Sequence, residues 1–116
     1  MSVSLYAVTF DCADAVELAR FWSAVLECPV DEGASPDVAS ITLGDQLPHW
    51  YFMKVPEGKT VKNRVHADLV TGDLAAEVKR IVALGATEQA DYHEGGYQWA
   101  TLLDPEGNEF DVVAQA

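Results

Sequence analysis

Hydrophobic residues along this chain follow two rhythms, and each rhythm occurs twice. Leu18, Phe21, Trp22, Val25 and Leu26 recur at helical spacing behind Asp14 and Glu17, an arrangement that resembles a capping box. Leu74, Val78, Ile81 and Val82 repeat the stripe behind Asp73, and Gly85 supplies a C-terminal stop. Around these two helices, period-two alternation predicts strands at 5–11, 39–43 and 49–55, then at 64–70, 98–103 and 108–113. Segments 28–33 and 87–92 are read as one further weak strand in each half. Gly44-Asp45-Gln46 and Asp104-Pro105-Glu106-Gly107-Asn108 are turns, and the stretch from Val55 to Arg64, with Pro56 and Gly58, is the linker. Each half then reads β-α-β-β-β.

The halves are copies. A shift of 59 residues, with no gap, puts Asp14 on Asp73, Thr42 on Thr101, Leu43 on Leu102 and Asp45 on Asp104. The same shift sets Ala7 opposite His66 and Phe52 opposite Asp111. A repeat of this length predicts two supersecondary units, about 1–57 and 58–116, within one domain. The second copy keeps polar chemistry where the first has none.

Alternation also assigns faces, because neighbouring side chains on a strand point oppositely. Tyr6, Val8 and Phe10 share one side, as do Tyr51, Met53 and Val55, Val65, Ala67 and Leu69, and Phe110 and Val112. This apolar side is expected to carry the helices. The opposite side gathers Ala7, Thr9 and Asp11, Trp50, Phe52 and Lys54, His66 and Asp68, Trp99 and Thr101, and Glu109 and Asp111. A face that mixes aromatics, acids and a histidine reads as the wall of a wet pocket, so the expected shape is a cupped mixed sheet around a ligand space.

Composition narrows the partners. A net charge of −12 over 116 residues argues against nucleic acid and anionic membrane surfaces. No apolar run approaches a membrane span, and the opening MSVSLYAVTF lacks a basic start or a small-residue cleavage site, so a cytoplasmic protein is expected. Lys54, Lys59, Lys62 and Arg64 cluster near the junction, as a solvated linker or an anion-attracting rim. Cys12 and Cys28 flank a helix of ~12 residues, about 18 Å of rise, so no disulfide is expected. His93 is placed in a loop at 92–97 lining the mouth, and His49 at a strand edge.

On these residues the chain resembles the vicinal oxygen chelate superfamily, most closely its small glyoxalase-like and bleomycin-resistance-like members. The segments that carry the resemblance are LLDPEGNEFDVV at 102–113, VHADLVTGDLAAEVKRIVALGA at 65–86 and FDCADAVELARFWSAVLE at 10–27. The resemblance implies an α+β fold of two βαβββ units, helices on the convex side, and a dimer. It also implies that metal-dependent members place ligands at the first and last strand of each unit. Those places here are Ala7, Phe52, His66 and Asp111, so the second copy alone has donors.

The expected function is therefore small-molecule binding of the resistance or sequestration type, in an aromatic and acidic cup lined by Thr9, Trp50, Phe52, Asp68, Trp99, Thr101 and Glu109. The alternative is a glyoxalase-like lyase or isomerase, metal-independent or with an incomplete metal site, in which His66 acts as acid or base and Asp111 orients it. No cofactor is expected. Should a divalent metal bind, it is held weakly by His66 and Asp111, with Asp68 as the candidate third donor. Exposed sheet edges predict a homodimer.

Overall fold

The computed structural model describes residues 2–46 and 48–115. Two compact units divide between Gly58 and Lys59. Strand β1 (Ala7–Cys12), helix α1 (Ala15–Leu26), β2 (Val38–Ile41) and β3 (His49–Lys54) make the first. Strand β4 (Asp68–Thr71), helix α2 (Leu74–Ala83), β5 (Thr87–Glu94), β6 (Tyr97–Leu103) and β7 (Glu109–Ala114) make the second. The fold class is α+β, with one mixed sheet in each unit, ordered β1-β3-β2 and β4-β7-β6-β5. Among the described residues, no helix is long and apolar enough to cross a membrane.

Both helices begin where their caps predict. The Asp14 carboxylate accepts from Glu17 N at 3.2 Å, and the Asp73 carboxylate accepts from Ala76 N at 3.2 Å. Helix α1 buries Leu18, Phe21, Trp22 and Val25. It ends at Glu27 in the left-handed region, φ 56°. The segment 28–33 is not a strand, contrary to its expected role. Asp31 instead ties it to β2 and beyond: its N donates to Ser40 O at 2.9 Å, and its carboxylate accepts from the Ser40 and Thr42 hydroxyls at 2.7 and 2.8 Å.

The first sheet corrects the assignment of faces. Phe10 pairs with Phe52 across parallel strands β1 and β3, which puts both side chains on one side. That side meets the helix: Trp22 lies 5.9 Å from Phe10 and 5.1 Å from Trp50, ring centre to ring centre. Phe52 is fully buried beside them, with Ala39 and Ile41. Trp50 and Phe52 are therefore part of the core, while Tyr51 and Met53 point the other way, Met53 being 48% exposed. The two copies are not related by a gapless shift over their whole length. Phe10 pairs with Phe52, but its counterpart Leu69 pairs with Val112, so the last strands are displaced by one residue more than the first. One residue reverses every side chain on a strand. The run His49-Trp50-Tyr51-Phe52-Met53 has large side chains on both faces, so alternation alone does not expose the slip.

The second sheet follows the expected faces. Ala100, Leu102, Phe110 and Val112 are buried, and Ile81 of α2 is buried with them. Strand β5 is longer than expected and turns into β6 through Gly95-Gly96, both at positive φ (58° and 82°) as a two-residue hairpin requires. His93 is consequently an exposed strand residue on a sheet edge, not a loop residue. Strand β4 starts late, at Asp68, because Asn63 takes the first backbone groups of β7. Its side chain accepts from Glu109 N at 2.7 Å and donates to Glu109 O at 3.2 Å.

The 104–108 segment is a turn, as expected. The Asp104 carboxylate, 4% exposed, accepts from the backbone N–H of Glu106 and of Asn108, both at 2.9 Å. Cys12 and Cys28 are not joined in a disulfide.

The face assignment has a direct thermodynamic check. Phe52→Ala is expected to cost about 3–5 kcal/mol in chemical denaturation, as a fully buried aromatic truncated to a cavity. Met53→Ala, on the open side, is expected to cost less than about 1 kcal/mol. A larger loss from Met53→Ala than from Phe52→Ala would mean that the helix packs on the other face.

Candidate functional site

Strands β4, β6 and β7 bring the polar residues of the second unit together. Asp68 and Asp111 are direct partners on parallel β4 and β7, and Thr101 is the partner of Asp111 on β6. His66 precedes β4 by two residues and reaches the same side. Its Nε2 lies 3.3 Å from Asp68 Oδ1 and 3.5 Å from Asp111 Oδ2. The other Asp111 oxygen accepts from the Thr101 hydroxyl at 2.6 Å. Asp111 is thus oriented from both ends and is 18% exposed, whereas the His66 and Asp68 side chains are 42% and 60% exposed.

Beside this group lies an open depression of about 360 Å³. His66, Thr101, Glu109 and Asp111 form one part of its lining, and Tyr92 and Trp99 form another. The two rings are cross-strand partners, stacked with centres 5.0 Å apart and planes 20° from parallel. Lys62 adds one cation. Glu109 is held in place by Asn63 N at 3.2 Å and Lys59 Nζ at 3.3 Å. Burial pushes its carboxyl group up, but these donors outweigh burial and hold it below the ordinary value near 4.5.

Of the residues expected in the site, His66, Trp99, Thr101, Glu109 and Asp111 line this depression, and Asp68 touches His66 at its side. Trp50 and Phe52 do not belong to it, for they pack under α1. Thr9 lies exposed on the open side of the first sheet, in the other unit. Lys62, read in the sequence as solvated linker or anion-attracting rim, also lines it, whereas Tyr92 is a lining residue that strand alternation does not mark. The Glu-Gly-Gly-Tyr sequence at 94–97 carries the missing signal, since a two-residue Gly-Gly hairpin pairs Tyr92 with Trp99.

The donor set fits a small divalent cation. Ligand atoms about 2.1 Å from a common ion stand roughly 3 Å apart at right angles. His66, Asp68 and Asp111 offer one nitrogen and two oxygens, all within 4.8 Å of one another. Such an ion, when bound, supplies positive charge at the edge of the depression.

Fold and site together describe a two-unit α+β protein whose second copy carries an acidic, histidine-containing face. Residues 7–113 match the model of the glyoxalase-like domain, and the chain belongs to that family, within the vicinal oxygen chelate superfamily. No curated protein matches the chain. Among solved structures it is similar to a glyoxalase/bleomycin resistance protein/dioxygenase family enzyme from Burkholderia phytofirmans PsJN. That likeness has 22% identity over 97% of this chain and 98% of that one, with a TM-score of 0.78. It is similar to a mutant of the fosfomycin resistance protein FosX from Listeria monocytogenes, complexed with Mn(II) and 1S,2S-dihydroxypropylphosphonic acid. There the identity is 12%, the coverage 100% and 93%, and the TM-score 0.80. A lactoylglutathione lyase from Agrobacterium tumefaciens is 12% identical over 98% and 95%, with a TM-score of 0.68. Likenesses at these identities establish the fold.

The lowered Glu109 carboxyl makes a prediction about pH. A group whose folded value is depressed contributes stability above its unfolded value, and that contribution is lost as pH falls through the folded one. Thermal melts of the wild type are therefore expected to lose stability more steeply below about pH 4.5 than melts of Glu109→Gln. Parallel curves would show that Lys59 and Asn63 do not stabilise the charged form.

Proposed function

We propose that the open face of the second sheet binds a small molecule, and that the protein works by binding in the manner of resistance or sequestration proteins. One observation carries this reading: a stacked aromatic pair and the hydrogen-bonded Thr101–Asp111 pair with His66 line the same depression. Its volume of about 360 Å³ falls in the range of ligand sites, roughly 300–1,000 Å³. The aromatic pair offers a flat apolar surface, and Asp111 and His66 offer an acceptor and a titratable ring. With Asp68, Asp111 and Glu109 nearby and a net charge of −12, the site favours a neutral or cationic planar molecule over a polyanion.

The test is a screen of planar aromatic cations, neutral planar aromatics and organic phosphates by thermal shift. A ligand at one hundred times its Kd stabilises the fold by about 2.7 kcal/mol. Trp99→Ala is expected to abolish the shift given by planar compounds, with Tyr92→Ala weakening binding by about tenfold, roughly one stacking contact. Turnover of a bound compound that His66→Ala stops would favour the lyase or isomerase reading instead. Stabilisation by organic phosphates alone would remove the aromatic-stacking argument.

We propose further that the chain pairs with a second copy. Among the described residues strand β4 is hydrogen-bonded on one side only, to β7, and Val70 on it is 68% exposed. Light scattering at ~50 µM is expected to give the dimer mass, and a monomer there would count against pairing.

A further inference from the structure

We infer that the open face of the first sheet carries a second binding site, an aromatic corner of Tyr6, His49 and Tyr51 that takes a small organic ammonium ion. It lies in the first unit and shares no residue with the depression of the second. It stands whether or not the small-molecule reading of that depression holds.

The corner follows from the register of β3. His49 and Tyr51 alternate on that strand and share its open side, beside the short side chains of Ala7 and Thr9 on β1. A backbone bond from His49 N to Tyr6 O, 2.9 Å, fixes Tyr6 against the same strand. The Tyr6 ring stands nearly perpendicular to both others, at 80° to His49 and 86° to Tyr51, with centres 5.1 and 6.1 Å away. Tyr6 and Tyr51 meet through their hydroxyls at 3.0 Å, so these two rings are joined at their tips and splay at their bases. His49 Nδ1 is closed to water and has no hydrogen-bond partner among the described residues, so the imidazole enters the corner as packed ring surface. Burial does not account for the group, because Tyr6 is 59% exposed. A cation held within about 6 Å of an aromatic centre is attracted by the ring face, and perpendicular rings let one ion meet more than one face.

Charge on this face has one sign. The side chains that β1, β2 and β3 direct to it include Asp11 and, among the described residues, no lysine or arginine. Asp31 adds a second carboxylate, held by the Ser40 and Thr42 hydroxyls at 2.7 and 2.8 Å and close enough to act on both His49 and Tyr51. Burial pushes the Asp31 carboxyl up, but its donors outweigh burial and hold it below the ordinary value near 3.8, so it is charged at neutral pH. The Tyr6 hydrogen bond pushes the Tyr51 phenol above its usual value near 10, so that hydroxyl keeps its proton. Met53, next on the same side of β3 and 48% exposed, adds a polarisable thioether. Carboxylates alone would attract any cation. The rings favour an alkylated ammonium, which holds water weakly and covers apolar surface as it binds.

The experiment is a tetramethylammonium chloride titration of the full chain at neutral pH, with sodium chloride reduced in step to hold ionic strength constant. Binding is read from the ring resonances of the tyrosines, histidines and tryptophans. Saturable shifts are expected at Tyr6, His49 and Tyr51, larger than any at Tyr92 or Trp99. Neopentyl alcohol, of similar bulk and no charge, is expected to bind about fivefold or more weakly. Tyr6→Ala, which removes a largely exposed ring, is expected to weaken tetramethylammonium binding about fivefold or more. Tyr6→Phe keeps the ring and loses the hydroxyl, and is expected to stay within about twofold of the wild type. Tyr97→Ala, at a tyrosine 67% exposed in the other unit, is expected to bind as the wild type does. No saturable shift up to ~50 mM overturns the inference. So does neopentyl alcohol binding as tightly as the cation, or a Tyr6→Ala protein with wild-type affinity. Larger shifts at Tyr92 and Trp99 than at the corner, or a Tyr97→Ala protein weakened as much as Tyr6→Ala, would overturn it too. A Tyr6→Phe protein as weak as Tyr6→Ala would assign binding to the hydroxyl pair and overturn the part given to the ring faces.

Discussion

Burial of Phe110 and Val112 decides which way Asp111 points, and the second unit's chemistry depends on that constraint. Both apolar residues are 1% exposed, and the residue between them must then face the open side of the sheet. Strand β7 lies between β4 and β6, so its phase is transmitted to both neighbours through the ladder. Asp68 and Thr101 are brought level with Asp111 by backbone pairing, before any side chain makes contact. The free energy comes from the apolar face, whereas the geometry it enforces appears on the polar one.

That polar face is assembled against electrostatic resistance. Asp68 and Asp111 are neighbours of like charge, and Glu109 lies on the same strand side. Each acid is treated differently. Glu109 is partnered by Lys59 and the Asn63 backbone, which makes it a structural clasp between the linker and β7. Asp111 has a neutral hydroxyl on one oxygen and the imidazole on the other. Asp68 stays largely in water, beside the His66 imidazole. The chain's excess of acids is therefore not diffuse here, and the three carboxylates have three distinct roles.

The two copies have diverged in packing as well as chemistry. In the first, aromatic rings fill the space under α1, from Trp22 through Phe10 and Trp50 to the buried Phe52. Its open side carries Tyr51 at the register place that Asp111 holds in the second copy, with its hydroxyl 3.0 Å from that of Tyr6. From the helix N-cap to the last strand the second copy has one residue more, Asp73 to Asp111 against Asp14 to Tyr51, and that net residue shifts the register.

Helix positions, the Asp14 and Asp73 caps, the 104–108 turn and the duplicated plan were legible in the residues, because each depends on local periodicity or on a side chain reaching its own backbone. The open face of the second sheet was legible too, since Asp111 alternates with two apolar neighbours and the polarity contrast sets the phase. His66, Trp99, Thr101, Glu109 and Asp111 follow from it. In β3 there was no such contrast: Trp50, Tyr51, Phe52 and Met53 are all large, and the choice of which pair is buried was left to the helix above. Tertiary packing under Trp22 made that choice, removing Trp50 and Phe52 from the site. Hairpin pairing of β5 with β6 likewise decided that Tyr92 stacks on Trp99. Contacts between residues distant in the chain set both outcomes, and one-dimensional alternation holds no information about them.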